Sequence, residues 1–263
     1  MAAVAASCTH GGHRQLAALP RLYRLENPYA RYCIFLLRLK RAMAMSDQRN
    51  RLLLLALCGI APFMLNGLVN AAIYQHALLY WCFEILTWVA IPSSVLYLVT
   101  RTAGFQFADL GYHGSICGQR KPGLVVLVCL LFAPLCYWVY STSYGIFIEL
   151  FPAAESFAYD SVVPTSGLLY VAVVIYLGLS AGLVEEFLFR GLLYRAFSEF
   201  QHSLLLFLVV SPLLFALVHW EDGLANLAST YIVGVFMAIA YLGLRNLWPL
   251  VIGHIFTDLV WFG

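Results

Sequence analysis

Apolar stretches near the ~20 residues that carry a helix across a bilayer recur along this chain. They lie at 52–74, 78–99, 123–147, 167–189, 203–219, 224–244 and 248–262. Hydrocarbon offers the backbone no water, so a chain built this way is restricted to helices or a closed barrel, and stretches of this length are helical. Composition agrees: 62% of the residues are hydrophobic and 11% are charged, against about 25% charged in soluble domains. The expected fold is all-α, a polytopic transmembrane bundle of about seven spans. Pro62, Pro92, Pro134 and Pro212 fall inside apolar stretches, where neighbouring helices can satisfy the freed carbonyls.

Basic residues orient the bundle. Nine of the fifteen Lys and Arg precede Leu52, and Arg101, Arg120 and Lys121 follow the second stretch. The segment 141–166 has none, but carries Glu149, Glu155 and Asp160. The positive-inside rule puts the N-terminus and the 100–122 loop in the cytoplasm, with Arg190, Arg195 and Arg245 on the same side. Residues 1–51 are a different material, Arg-rich and acid-poor. They read as a basic cytoplasmic tail, a targeting segment, or an extension ahead of a true start at Met43 or Met45.

Several classes are disfavoured. Seven cysteines show no C-x-x-C spacing, and Cys58, Cys82, Cys129 and Cys136 fall in apolar stretches as small core residues. No Gly-rich phosphate loop is present, and basic residues are not interleaved with aromatics, so no nucleic-acid partner is expected. The expected partners are membrane lipid and a membrane-associated protein or peptide.

Charge inside the apolar stretches carries the functional reading, because an ionisable group in hydrocarbon is costly. Glu186 and Arg190 are four apart, on one helical face, and are expected to form a structural ion pair. Glu185 points about 100° away and is left free to act on something else. Upstream, Gly178-Leu-Ser-Ala-Gly182 spaces small residues so that another helix can pack closely. Glu185 and His219 each lie seventeen residues from His202, in the polar gap between two stretches. A simple hairpin would bring them to one depth, as a pair able to activate water. The alternative is a histidine serving only its own helix end beside Trp220, Glu221 and Asp222. His254 and Asp258 are again four apart, as an Asp-oriented His or as two groups reaching into one cavity.

Glu-Glu-x-x-x-Arg at 185–190, Phe-x-x-x-His at 215–219 and His-x-x-x-Asp at 254–258 follow one another across consecutive stretches. This order resembles the glutamic intramembrane proteases of the CPBP or Abi family, which includes the type II CAAX prenyl endopeptidases. The resemblance covers about Ser166 to Phe262. It implies that Glu185 with His219 activates the attacking water and that His254 and Asp258 line the oxyanion side. It implies no cofactor. Asp258 stands where prenyl-tail processing members typically have Asn, so it must either be protonated to donate or act by orienting His254. Under this reading 1–51 is the tail, 52–165 the flanking helices, and 166–263 the catalytic core formed by the last four helices. The expected location is a bacterial inner membrane with the N-terminus cytoplasmic.

Two alternatives stay open. Glu185, His219 and His254 could hold zinc, since two His and a carboxylate suffice. The chain could also be a non-catalytic immunity or scaffold protein, or a transporter relaying protons through Glu185 and the histidines.

Overall fold

The structure is a computed structural model that describes residues 47–73, 75–102, 104–116, 118–151, 162–198 and 200–263. Most of the expected tail, up to residue 46, lies outside the described residues, as do Glu155 and Asp160. Residues Arg49–Gly263 form one compact unit, which holds the sites discussed below and all of the helices but the first two residues of the first.

Seven helices follow the apolar stretches. They are α1 (Asp47–Ile73), α2 (Ala77–Arg101), α3 (Pro122–Leu150), α4 (Gly167–Phe197), α5 (Ser203–Leu217), α6 (Gly223–Leu244) and α7 (Trp248–Phe262). No strand occurs among the described residues. Among the described residues five helices, counting the 3₁₀ turn Trp220–Asp222 with α6, are long and apolar enough to cross a membrane. The other two, α5 and α7, have 15 residues each. At ~1.5 Å per residue they reach about 22 Å, short of a ~30 Å hydrocarbon core.

Polar anchors tie the two ends of the bundle. At one end, the Asn246 side-chain amide in the α6–α7 turn donates to the carbonyls of His113 (2.7 Å) and Ser115 (2.8 Å). Leu247 N donates to Gly111 O, and Arg195 Nε to Asp109 O. At the other end, Trp220 Nε1 donates to Met64 O, Trp81 Nε1 to Val162 O and the Tyr170 hydroxyl to Phe262 O. Arg190, unlike the exposed residues at the helix ends, is fully buried inside the bundle.

Large apolar side chains point outward along several helices, including Leu54, Leu68, Leu130, Leu131 and Leu168, which is 86% exposed. That surface would aggregate in water, but it costs nothing against lipid tails. Of the four cysteines expected in the core, only Cys136 is buried; Cys58 and Cys82 lie on the outer face. Lipid is as apolar as a protein core, so a small apolar residue in a span carries no signal for one face over the other.

The approach of α7 to α4 positions the site. A Cβ on Gly182 would lie 2.5 Å from Ile255 Cγ1 and 3.0 Å from the Val251 carbonyl, and one on Gly178 would lie 3.5 Å from Asp258 Cβ. The bare Gly182 is what lets α7 come so near, while a Cβ on Gly178 would only reach ordinary contact, and α7 carries His254 and Asp258. Helix α3 packs extensively on α6 and α7 and so lies among the motif-bearing helices.

Candidate active site

Helix α4 changes register where the acidic motif begins. Glu186–Leu192 is a π-helical turn, and every residue of it is buried. Such turns widen the helix and re-aim side chains. The Ser211 hydroxyl from α5 donates to the Phe189 carbonyl within this turn (2.6 Å), so Ser211 serves the backbone. Gly191 in the same turn lets the Leu110 carbonyl approach to 2.9 Å from where a Cβ would stand.

Glu186 is the hub of the site. Its Oε1 accepts from Arg190 Nη1 at 2.9 Å and from His254 Nδ1 at 2.9 Å. Glu186 and Arg190 are both fully buried. The guanidinium also lies over the Phe215 ring, 4.2 Å from its centre, a cation–π contact that favours a buried charge. The spacing of 186 and 190 foretold the pair; it gave no sign that His254 joins it from 68 residues away.

With Nδ1 committed to Glu186, the other nitrogen of His254 faces the remaining carboxylates. Nε2 lies 3.8 Å from Glu185 Oε2 and 3.7 Å from Asp258 Oδ2. Glu185 is only 3% exposed, and its Oε2 has no hydrogen-bond partner. His219 is likewise anchored through Nδ1, which donates to the Phe215 carbonyl at 2.8 Å. That bond fixes the tautomer, so a neutral His219 offers Nε2 as an acceptor. Phe215 thus holds His219 through its carbonyl while its ring contacts Arg190 and, edge-on at 5.9 Å, His254.

Two cavities meet this cluster. One, of about 300 Å³, is lined by His219, His254 and Asp258 together with Tyr140, Asn226 and Asp222. The other, of about 210 Å³, is lined by Glu185, His219, His254 and Asp258, and by Glu84 and Glu221. Glu185 and His219 therefore share a cavity, as the hairpin argument expected, with no hydrogen bond or ion pair between them. Among the described residues no group of three or more His, Cys, Asp or Glu is arranged to hold a metal ion, and this includes Glu185, His219 and His254.

The loop before α3 also reaches the motif. The Tyr112 hydroxyl donates to the Leu183 carbonyl of α4 at 3.3 Å. Burial, and secondarily the Glu186 charge, push its phenol far above the ordinary range, so it stays a donor.

A family model for Rce1-like type II CAAX prenyl endopeptidases matches residues 167–260, the segment that carries Glu185, Glu186, Arg190, His219, His254 and Asp258. This segment is similar to an Rce1-like protease domain. No curated protein and no solved structure matches the chain. The long apolar helices among the described residues make this an integral membrane protein, and its segment 167–260 is similar to a membrane-protease family.

The sequence reading passed over Glu84 and treated Glu221 only as a neighbour of a helix end. A glutamate in the second apolar stretch is itself an intramembrane charge, and that was the available signal.

Proposed function

We propose that this protein is a glutamic intramembrane endopeptidase that cuts a peptide bond in the tail or anchor of a membrane-associated protein or peptide. The observation that carries this reading is the convergence of three motif carboxylates on one imidazole. His254 Nδ1 bonds Glu186 at 2.9 Å, and His254 Nε2 faces Glu185 and Asp258 at 3.8 and 3.7 Å. The cavity there also admits His219.

In this mechanism Glu185, whose Oε2 has no protein partner, takes the proton from the attacking water, with His219 Nε2 as the second acceptor. His254 as imidazolium donates from Nε2 toward the developing oxyanion. Glu186 holds the ring by Nδ1, and Arg190 balances the charge of Glu186. Asp258, protonated, donates beside His254. Collapse of the tetrahedral intermediate returns the proton from Glu185 to the leaving amine. The proton passes from the attacking water to Glu185 and on to the leaving amine, so the steps balance without a cofactor. The proposed placement is a bacterial inner membrane with Arg101, Arg120, Lys121, Arg195 and Arg245 at the cytoplasmic end. The family description points to C-terminal, lipid-modified tails as substrates.

The test compares membrane-protein tails by mass spectrometry in cells with the wild-type gene and cells carrying the Glu185→Gln variant. A tail that is shortened only with the wild type supports the reading. Identical tails in both would instead favour a scaffold or a proton-relaying transporter.

A further inference from the structure

Glu84 lies in α2, outside the Rce1-like segment and outside the mechanism above. It is 3% exposed, and its Oε1 has no hydrogen-bond partner. Across the same cavity, Glu221 from the turn before α6 has a buried Oε2 that is also without a partner, while its Oε1 accepts from Asn66 Nδ2 at 3.3 Å. No Lys, Arg or His makes an ion pair with either carboxylate among the described residues. The position is built for this acid: a Cβ on Gly67 would stand 2.5 Å from Glu221 Oε2, so the bare glycine of α1 admits the carboxylate. Glu84 is buried and Glu221 is partly so with its Oε2 buried; two neighbouring carboxylates held this way with no ion-pair partner repel each other and lose hydration, a cost that a cation entering the cavity removes.

The cavity also decides what kind of cation. It holds about 210 Å³ and is lined at once by Glu84, Glu221 and the proposed base Glu185. A group bound between the first two therefore belongs to the molecule being cut at the third. Among the described residues no third His, Cys, Asp or Glu completes a metal-holding group with them, whereas an ammonium or guanidinium on a flexible stem needs only carboxylate acceptors and room for its methylenes.

We propose that Glu84 and Glu221 form an acidic subsite that selects substrates carrying a Lys or Arg side chain close to the scissile bond. This proposal rests on the hydrolytic reading of Glu185, and adds to it a preference that the motif residues do not encode.

The full chain in lipid nanodiscs is given two fluorogenic peptide libraries, identical except that one has Lys and the other Gln beside the cleavable segment. For wild type the ratio of kcat/KM, Lys over Gln, is expected to be about tenfold or more. Glu84→Gln and Glu221→Gln, each a neutral near-isostere, should each bring that ratio toward one; if one variant fails to fold, the other carries the test. A wild-type ratio near one while peptides are cut, or an undiminished ratio in the variants, overturns the subsite. Binding of the same libraries to Glu185→Gln protein, read by fluorescence polarisation, separates the two readings. If nothing is cut but Lys-dependent binding is present and lost in Glu84→Gln, hydrolysis fails and the cation subsite stands. Charge-indifferent binding overturns it, and so does binding of Ca²⁺ alone that disappears in Glu84→Gln.

Discussion

Glu186 and His254 are 68 residues apart in the chain and joined at 2.9 Å, Oε1 to Nδ1. The same oxygen accepts from Arg190. One carboxylate oxygen thereby links α4 to α7 and fixes which nitrogen of His254 faces the cavity. Removing it strands a buried guanidinium and frees the ring. Glu186→Ala and Arg190→Ala should each destabilise the fold by about 3–5 kcal/mol and lower the yield of folded protein in detergent. Wild-type yield and melting temperature from both variants would show that the pair has no structural part.

The α4–α7 approach supplies a second prediction. Gly182→Leu would drive a side chain into Ile255 and the Val251 carbonyl, and overpacking of this kind costs about 1–3 kcal/mol. Displacing α7 also moves His254 and Asp258 away from Glu185, so activity should fall more than stability does. Gly145→Leu on α3, where a Cβ meets nothing within 4 Å, is the control. Equal activity in the two variants would separate the close approach from catalysis.

These two features show what could be read from the residues and what could not. The all-α bundle followed from the run of apolar stretches, and the face shared by Glu186 and Arg190 followed from helical spacing. Gly178 and Gly182 announced a close neighbour, although not which helix. Spacing reports only local geometry, so it could not show that Glu186 rather than Asp258 holds His254 by Nδ1. Nor could it show that a π-helical turn begins at Glu186, or that Glu84 from α2 reaches the cavity of Glu185. The shortness of α5 and α7 was legible, because the apolar stretches 203–219 and 248–262 were already brief and the first is closed by Glu221 and Asp222.

Asp258 gives the third prediction. It lies 3.7 Å from His254 Nε2, and Asn is nearly isosteric, keeps a donor and cannot ionise. If Asp258 works as a neutral donor, Asp258→Asn should keep most of the activity and lose any alkaline fall that comes from ionisation of this group. If it must be charged to orient His254, the Asn variant should drop toward the level of Asp258→Ala. A pH profile of kcat/KM for the three proteins decides between them. Wild-type activity in the Ala variant would remove Asp258 from the site.

A fourth prediction concerns metal. Glu185, His219 and His254 are not arranged as a metal-holding group, so turnover should survive prolonged treatment with a strong chelator. Loss of activity on chelation, restored by zinc, would replace water activation by Glu185 with activation by a metal.

The proposed hydrolysis depends on Glu185 acting as the base. The direct measurement is the single-turnover rate of peptide cleavage by purified wild-type and Glu185→Gln protein in lipid nanodiscs, at matched folded concentration. Losing a positioned base typically costs about 10²–10⁴-fold, and the account predicts a fall of that size with peptide binding retained. Cleavage by the Gln variant at the wild-type rate would contradict it.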